Sequence, residues 1–258
     1  MDKNKILGNG PGKYRIGVIA LANDQVIERD LARILPPDAL TFTTRIAFGG
    51  DCTLEQLAKM APVLSDAAQL LNPEVELDAV VFGCTSGTIA IGADNVRSAI
   101  RKSAPMAIVV NPVEAACAAF SHLGAKRLNL VTPYQSDVAD LMVRTFSERG
   151  FKIVNRYDFG ITDSADISRV TPDAIEFAAT ELATEGVDAT FISCTDFQSL
   201  TVLDRIEAST GLPVVSSNQA MAWQLVLHSG LTNSIPGYGR LLTDIKKNEP
   251  KNQHGELI

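Results

Sequence analysis

LDAVVFGCT occupies residues 77–85 and VDATFISCT occupies residues 187–195. In each, an apolar residue, an aspartate and an alanine lead into a short apolar run that ends on Cys-Thr, so that Cys84 and Cys194 hold equivalent places. Runs such as AVVF and ATFIS lack the polar alternation of a strand with one wet face. They are the pattern of strands covered on both faces, as in a parallel sheet.

Two further pairs repeat in the same order. PMAIVVNPVEAACAAFSHLG at 105–124 matches LPVVSSNQAMAWQLVLHSG at 212–230, and the apolar opening at 14–21 matches 126–134. Three ordered matches predict a duplicated α/β unit. Strands are predicted over 15–21, 41–46, 79–82, 106–110, 128–131, 152–157, 189–193 and 213–216. Helices are predicted over segments that include 53–70, 87–103, 113–123, 136–149, 172–184 and 198–209. This alternation belongs to βαβ units. The expected architecture is two pseudo-symmetric flavodoxin-like lobes, each with a parallel sheet and with the active site in the cleft between them. One lobe, with Cys84, is expected to comprise residues 1–112 with 213–258; the other, with Cys194, residues 113–212. Duplication would set the two cysteines face to face across that cleft.

Composition narrows the function. The 258-residue chain is 46% hydrophobic and 21% charged with a net charge of −7, which offers no basic footprint for nucleic acid or anionic lipid. No apolar run reaches the roughly 20 residues of a membrane span, and residues 1–15 contain no apolar stretch before a cleavage site. A cytoplasmic protein with a small-molecule partner is expected, assembled as a homo-oligomer. In a reducing compartment Cys52, Cys84, Cys117 and Cys194 read as free thiols. The sequence has no CxxC or HExxH, and the three histidines, His122, His228 and His254, lie far from the cysteines, so neither a metal nor any other cofactor is expected. The glycines of GNGPGK at 8–13 lack the preceding strand of a phosphate loop.

A cysteine just past a buried strand sits where open α/β sheets bind ligands. Backbone N–H groups and a helix N-terminus there are expected to lower the thiol pKa and hold a carboxylate. In CTSGT at 84–88, Gly87 permits close backbone approach. Cys117, in the apolar helix AACAAF, and Cys52, beside a helix cap in GGDCTLEQ, read as packing or incidental positions. Asp78 and Asp188 read as strand-start residues.

GVIALANDQVIERD, VVFGCTSGTIAIG, LVTPYQSDV, DFGITDSADISRV, FISCTDF, GLPVVSSNQAMAW and PGYGRLL together resemble the aspartate/glutamate racemase superfamily from Gly17 to Leu242. The resemblance is to its maleate cis-trans isomerase and arylmalonate decarboxylase branch, and most of all to ectoine-utilization members. It implies that one of Cys84 and Cys194 works as a thiolate base or nucleophile and the other as proton donor. It further implies a carboxylate-binding set of Thr85, Ser86, Tyr134, Thr195 and Asp196. The branch's decarboxylases carry glycine at the first cysteine, so Cys84 argues against pure decarboxylation. Maleate isomerases carry asparagine where this chain has Asp24, and again near Ser164. Asp24 would relay a proton or pair with a substrate amine, or else serve only as a solvated helix cap; Tyr134 would bind substrate or else pack. The leading expectation is a cofactor-independent two-cysteine racemase or isomerase acting at the α-carbon of a small carboxylate or amino-acid derivative. Maleate-type cis-trans isomerisation, arylmalonate-type decarboxylation and a cytosolic small-ligand sensor are the alternatives.

Overall fold

The computed structural model describes residues 12–71, 74, 76–230 and 234–245. Residues 8–11 of the glycine-rich stretch, the tail from 246 and His254 lie outside them. Every expected strand is present, with ends displaced by one or two residues at most. The first half contributes β1 (Tyr14–Leu21), β2 (Ala39–Ile46), β3 (Ala79–Gly83) and β4 (Ile108–Val110). The second contributes β5 (Arg127–Thr132), β6 (Lys152–Asp158), β7 (Ala189–Ile192) and β8 (Val214–Ser216). They form two all-parallel sheets ordered β2-β1-β3-β4 and β6-β5-β7-β8, the same topology twice. The three sequence repeats fall on β3/β7, on β1/β5, and on β4/β8 with their following helices.

The residues that repeat explain the geometry. All of β3 and β7 are buried, as unbroken apolar runs require. Asp78 accepts a hydrogen bond from the Arg15 backbone N–H at 2.7 Å, and Asp188 accepts from Lys126 and Arg127 at 2.8 and 2.7 Å. Each aspartate thereby ties the start of one central strand to its neighbour and fixes their register. These two donors hold the Asp188 carboxyl below the usual carboxylate range.

Two helices exchange between the halves. α6 (Pro112–His122) follows β4 and packs against β8, while α10 (Ser217–His228) follows β8 and packs against α1 (Ile27–Ile34), β4 and α6. Both have firm N-caps: Asn111 accepts from the Glu114 N–H ahead of Pro112, and Ser216 forms a capping box with Gln219. Because β8 pairs with β7, Val214–Ser216 belong to the second sheet, and the expected return to the first lobe at residue 213 is corrected. The chain crosses back only with α10. That helix was not among those expected; buried around most of its circumference, it lacks an amphipathic stripe.

The expected helix over 53–70 is divided into α2 (Leu54–Ala58), a 3-10 turn at Ala61–Val63 and α3 (Leu64–Gln69), with Pro62 at the break. The expected helix over 87–103 starts two residues earlier as α4 (Thr85–Ile91) and resumes as α5 (Ala93–Arg101), interrupted by Gly92 at φ +91°. The second half adds α7 (Ser136–Glu148), α8 (Pro172–Glu181) and α9 (Leu203–Thr210), and α11 (Arg240–Thr243) closes the described chain.

Phe120 of α6 sits edge-on to Phe146, Phe151 and Phe191 at 5.3–5.9 Å and anchors the exchanged helix in the second lobe. Phe120→Ala removes the centre of this fully buried cluster and is expected to cost about 3–5 kcal/mol, measured by urea unfolding. A loss under about 1 kcal/mol would show that the exchange is held elsewhere.

Candidate active site

The carboxyl ends of β3 and β7 bring the two Cys-Thr motifs together. Cys84 is the N-cap of α4, and its Sγ accepts the Gly87 N–H at 3.2 Å. A side chain on Gly87 would put a Cβ 2.8 Å from that sulfur and 2.5 Å from Met60 Cε, so the glycine is required for close approach. Cys194 does not cap a helix: after it come Thr195, Asp196 and an irregular segment leading to a 3-10 turn at Leu200–Val202. It is the one non-glycine residue with positive φ among those described, at +145°. Such a conformation costs about 1–3 kcal/mol and persists where surrounding structure enforces it.

Hydrogen bonds between the halves do the enforcing. The Cys194 N–H donates to Ser217 Oγ at 3.1 Å, and Ser217 Oγ lies 2.9 Å from Thr85 Oγ1. Thr195 Oγ1 donates to the Gly83 carbonyl at 3.1 Å. Asn218 donates to the Thr195 carbonyl at 2.8 Å and to Asp30 at 3.0 Å, holding the same loop from behind.

Cys84 and Cys194 line one small cavity of about 20 Å³. Of the expected residues, Asp24, Ser86, Tyr134, Thr195 and Asp196 line it as well. Thr85 does not, because its hydroxyl is engaged by Ser217. Tyr134 is buried and lines the cavity beside the Cys194 thiol. Asp24 is not the solvated cap expected: Oδ1 accepts from the Val26 and Ile27 N–H groups at 2.8 and 2.9 Å at the start of α1, while Oδ2 is buried and unpartnered.

Cys52, read as a packing or incidental position, is buried in the core and also lines the cavity, whereas Cys117 lies in α6 and does not line it. Cys52 and Ser164 each stand six residues beyond their strand, β2 or β6, and are therefore counterparts in the repeat. Their loops join: Asp51 and Asp163 form an antiparallel bridge, the Cys52 N–H donates to the Thr162 carbonyl, and the Ser164 N–H donates to the Gly50 carbonyl, both at 3.0 Å. The signal for Cys52 was its place in the repeat, masked because Ser164 is not a cysteine.

The electrostatics depart from expectation. Burial pushes the Cys84 thiol up to about 12, outweighing the Gly87 N–H, and pushes Cys194 well above its ordinary value, with the Asp196 charge adding to the effect. Both thiols are protonated at rest, and the expected lowering is corrected. Burial likewise raises Asp24, and burial together with the nearby Asp24 charge raises Asp196 to about 7. Among the described residues no group of three His, Cys, Asp or Glu side chains is arranged to hold a metal, and no helix is long and apolar enough to cross a membrane.

Comparison with known proteins adds relatives to this geometry. Residues 94–242 match the family described as arylmalonate decarboxylase. A maleate isomerase of Pseudomonas putida is 26% identical over 89% of this chain and 97% of its own. An arylmalonate decarboxylase of Bordetella bronchiseptica is 32% identical over 47% of this chain and 52% of its own. Among solved structures, a cysteine-to-alanine variant of the maleate isomerase Iso of Pseudomonas putida S16 with maleate superposes with a TM-score of 0.83 over 91% of this chain and 99% of its own, at 22% identity. A Nocardia farcinica maleate cis-trans isomerase variant with a covalently bound succinylcysteine intermediate has the same score over 89% and 98%, at 23% identity.

The raised Asp196 carries a stability cost of definite sign. Its folded value near 7 lies above the ordinary 3.8, so its contribution is fully present below 3.8 and is lost as pH rises through 7. Asp196→Asn keeps the acceptor for the Gln25 N–H and removes the charge. It is expected to stabilise the protein by roughly 2–4 kcal/mol at pH 8, with the gain vanishing towards pH 4. Thermal unfolding across pH checks this, and a gain independent of pH would contradict it.

Proposed function

The chain belongs to the arylmalonate decarboxylase family, and from that premise we propose that it is a cofactor-independent isomerase that moves a proton at the α-carbon of a small carboxylate, using Cys84 and Cys194 as paired base and acid. The observation that carries the reading is that two thiols from equivalent strand ends line one cavity. A single thiol retains configuration unless substrate or sulfur moves; two on opposite faces invert it.

On this reading the substrate carboxylate accepts hydrogen bonds from the Ser86 and Tyr134 hydroxyls and from backbone N–H groups of the two cysteine loops. These donors stabilise the negative charge that develops on the carboxylate as the α-proton leaves. One thiolate takes that proton while the opposite thiol delivers its own to the other face, so the proton count is unchanged and the two sulfurs exchange roles. Because both thiols rest protonated, Asp24 or Asp196 in its ionised form first takes the proton of one of them, and the same carboxyls, raised by burial, relay protons between the sulfurs to restore the starting state. The dry site that makes the first deprotonation costly also makes the resulting thiolate strongly basic, which suits a carbon acid. The resemblance of the stretches at 19–30 and 216–223 supports a reading within the ectoine-utilization branch, and the same proposal takes the enzyme as a cytoplasmic homo-oligomer.

A second reading is favoured by the nearly full-length likeness to maleate isomerases. In it one thiolate adds to an alkene carbon, the C–C bond rotates, and elimination releases the trans isomer. Decarboxylation remains an alternative that would leave Cys84 without a role.

Cys84→Ser and Cys194→Ser are each expected to reduce solvent-deuterium exchange at the α-carbon by at least a factor of about 100. Serine is a favoured N-cap, so Cys84→Ser should unfold no earlier than wild type. Exchange surviving in both variants would sink the proposal, and fumarate formed from maleate at a useful rate would move the assignment to addition and elimination.

A further inference from the structure

We propose that the cavity selects a substrate with a protonated amine beside its reacting carboxylate, the ammonium being held between Asp24 and Asp196. The inference deepens the two-thiol reading and rests on it.

The two carboxylates are built alike. Each has one oxygen satisfied by backbone: Asp24 Oδ1 accepts from Val26 and Ile27, and Asp196 Oδ1 accepts from the Gln25 N–H at 2.8 Å. The second oxygen of each is buried and has no partner. Asp24 is 4% exposed and Asp196 is 6% exposed, and both line the cavity that holds the thiols. The Gln25 N–H also brings them to the same end, since it is donated from the residue next to Asp24. Two further acceptors, Asn23 Oδ1 and Ser164 Oγ, line the cavity unpartnered.

Nothing lining the cavity neutralises this charge. No lysine, arginine or histidine contributes to its wall among the described residues. The nearest candidate, Arg45, donates through Nη1 to the carbonyls of Leu21, Ala22 and Asp24 and pairs through Nη2 with Glu28. Its charge favours the ionised form of both Asp24 and Asp196, but its guanidinium donates no hydrogen bond to their free oxygens.

The repeat shows that the acidity is confined to one end. Asp24 stands three residues past β1, and its counterpart three residues past β5 is Gln135; Asp196 stands two residues past its cysteine, and its counterpart is Ser86. Gln135 is exposed and lies outside the cavity lining, so the opposite end carries the Ser86 hydroxyl and no carboxylate where this end carries two. A zwitterionic α-amino acid matches that polarity, with its carboxylate towards Ser86 and its ammonium towards the acids. An ammonium offers three N–H donors and one positive charge to a site rich in unmet acceptors. A dicarboxylate without an amine would add like charge to two buried carboxylates.

The test uses matched four-carbon acids: aspartate against succinate and maleate, and 2-aminobutyrate against butyrate. Each is scored for protection of Cys84 and Cys194 from iodoacetamide, read by mass spectrometry, and for α-carbon deuterium exchange. Wild type is compared with Asp24→Asn, Asp196→Asn and the double variant. The amine-bearing member should protect wild type at least tenfold better, and the double variant should lose that preference and gain affinity for maleate. Absence of any preference for the amine in wild type, or a preference that survives in the double variant, overturns the proposal. Cys84→Ser and Cys194→Ser, run in parallel, separate the two readings. Cysteine-dependent turnover without amine preference leaves the two-thiol mechanism standing and removes this inference. Amine preference with cysteine-independent exchange does the reverse.

Discussion

The hydrogen bonds that cross between the two cysteine loops govern this molecule: Cys194 N–H to Ser217, Ser217 to Thr85, and Thr195 to the Gly83 carbonyl. Joined through Ser217 at the start of α10, the motifs are buried and line one cavity, and Cys194 is held at a backbone conformation it would not adopt freely. The exchanged helices α6 and α10 supply the packing that makes these bonds affordable, since each buries its surface against the partner half.

Burial then sets the chemistry. Three thiols and two carboxylates in a small cavity disfavour their charged forms, so the resting site is poised with protons on sulfur. Such an arrangement is costly to the fold and useful to a proton-transfer enzyme. Unmet oxygens on Asp24 and Asp196 are stability forgone, and the paired acid-and-base reading gives that sacrifice a purpose.

Much of the fold was legible because the repeat sits on buried strands, whose apolar runs can be read directly; β3 and β7 fell where LDAVVFGCT and VDATFISCT put them. Asp78 and Asp188 were legible for the same reason, being local to strand starts. The misreadings share a physical cause in contacts between distant segments. Cys52 reaches the cavity only because Asp51 pairs with Asp163 across the halves, and β8 joined the second sheet although the chain crosses back just after it. Thiol acidity was misjudged because a helix N-terminus is a local feature, whereas the burial that outweighs it is imposed by the other half. Asp24, Ser86, Tyr134, Thr195 and Asp196 do meet at the cavity, and the spent hydroxyl of Thr85 depended on Ser217, which no motif marked.

The central claim is that Cys84 and Cys194 act on opposite faces of one carbon. Its most direct measurement starts from a single enantiomer of an exchanged α-amino acid in deuterium oxide and compares label in inverted product and recovered substrate at early conversion. Two opposed thiols predict deuterium at the α-carbon of the inverted product and almost none in recovered substrate. Equal label in both would mean that one group removes and returns the proton, and would contradict the account.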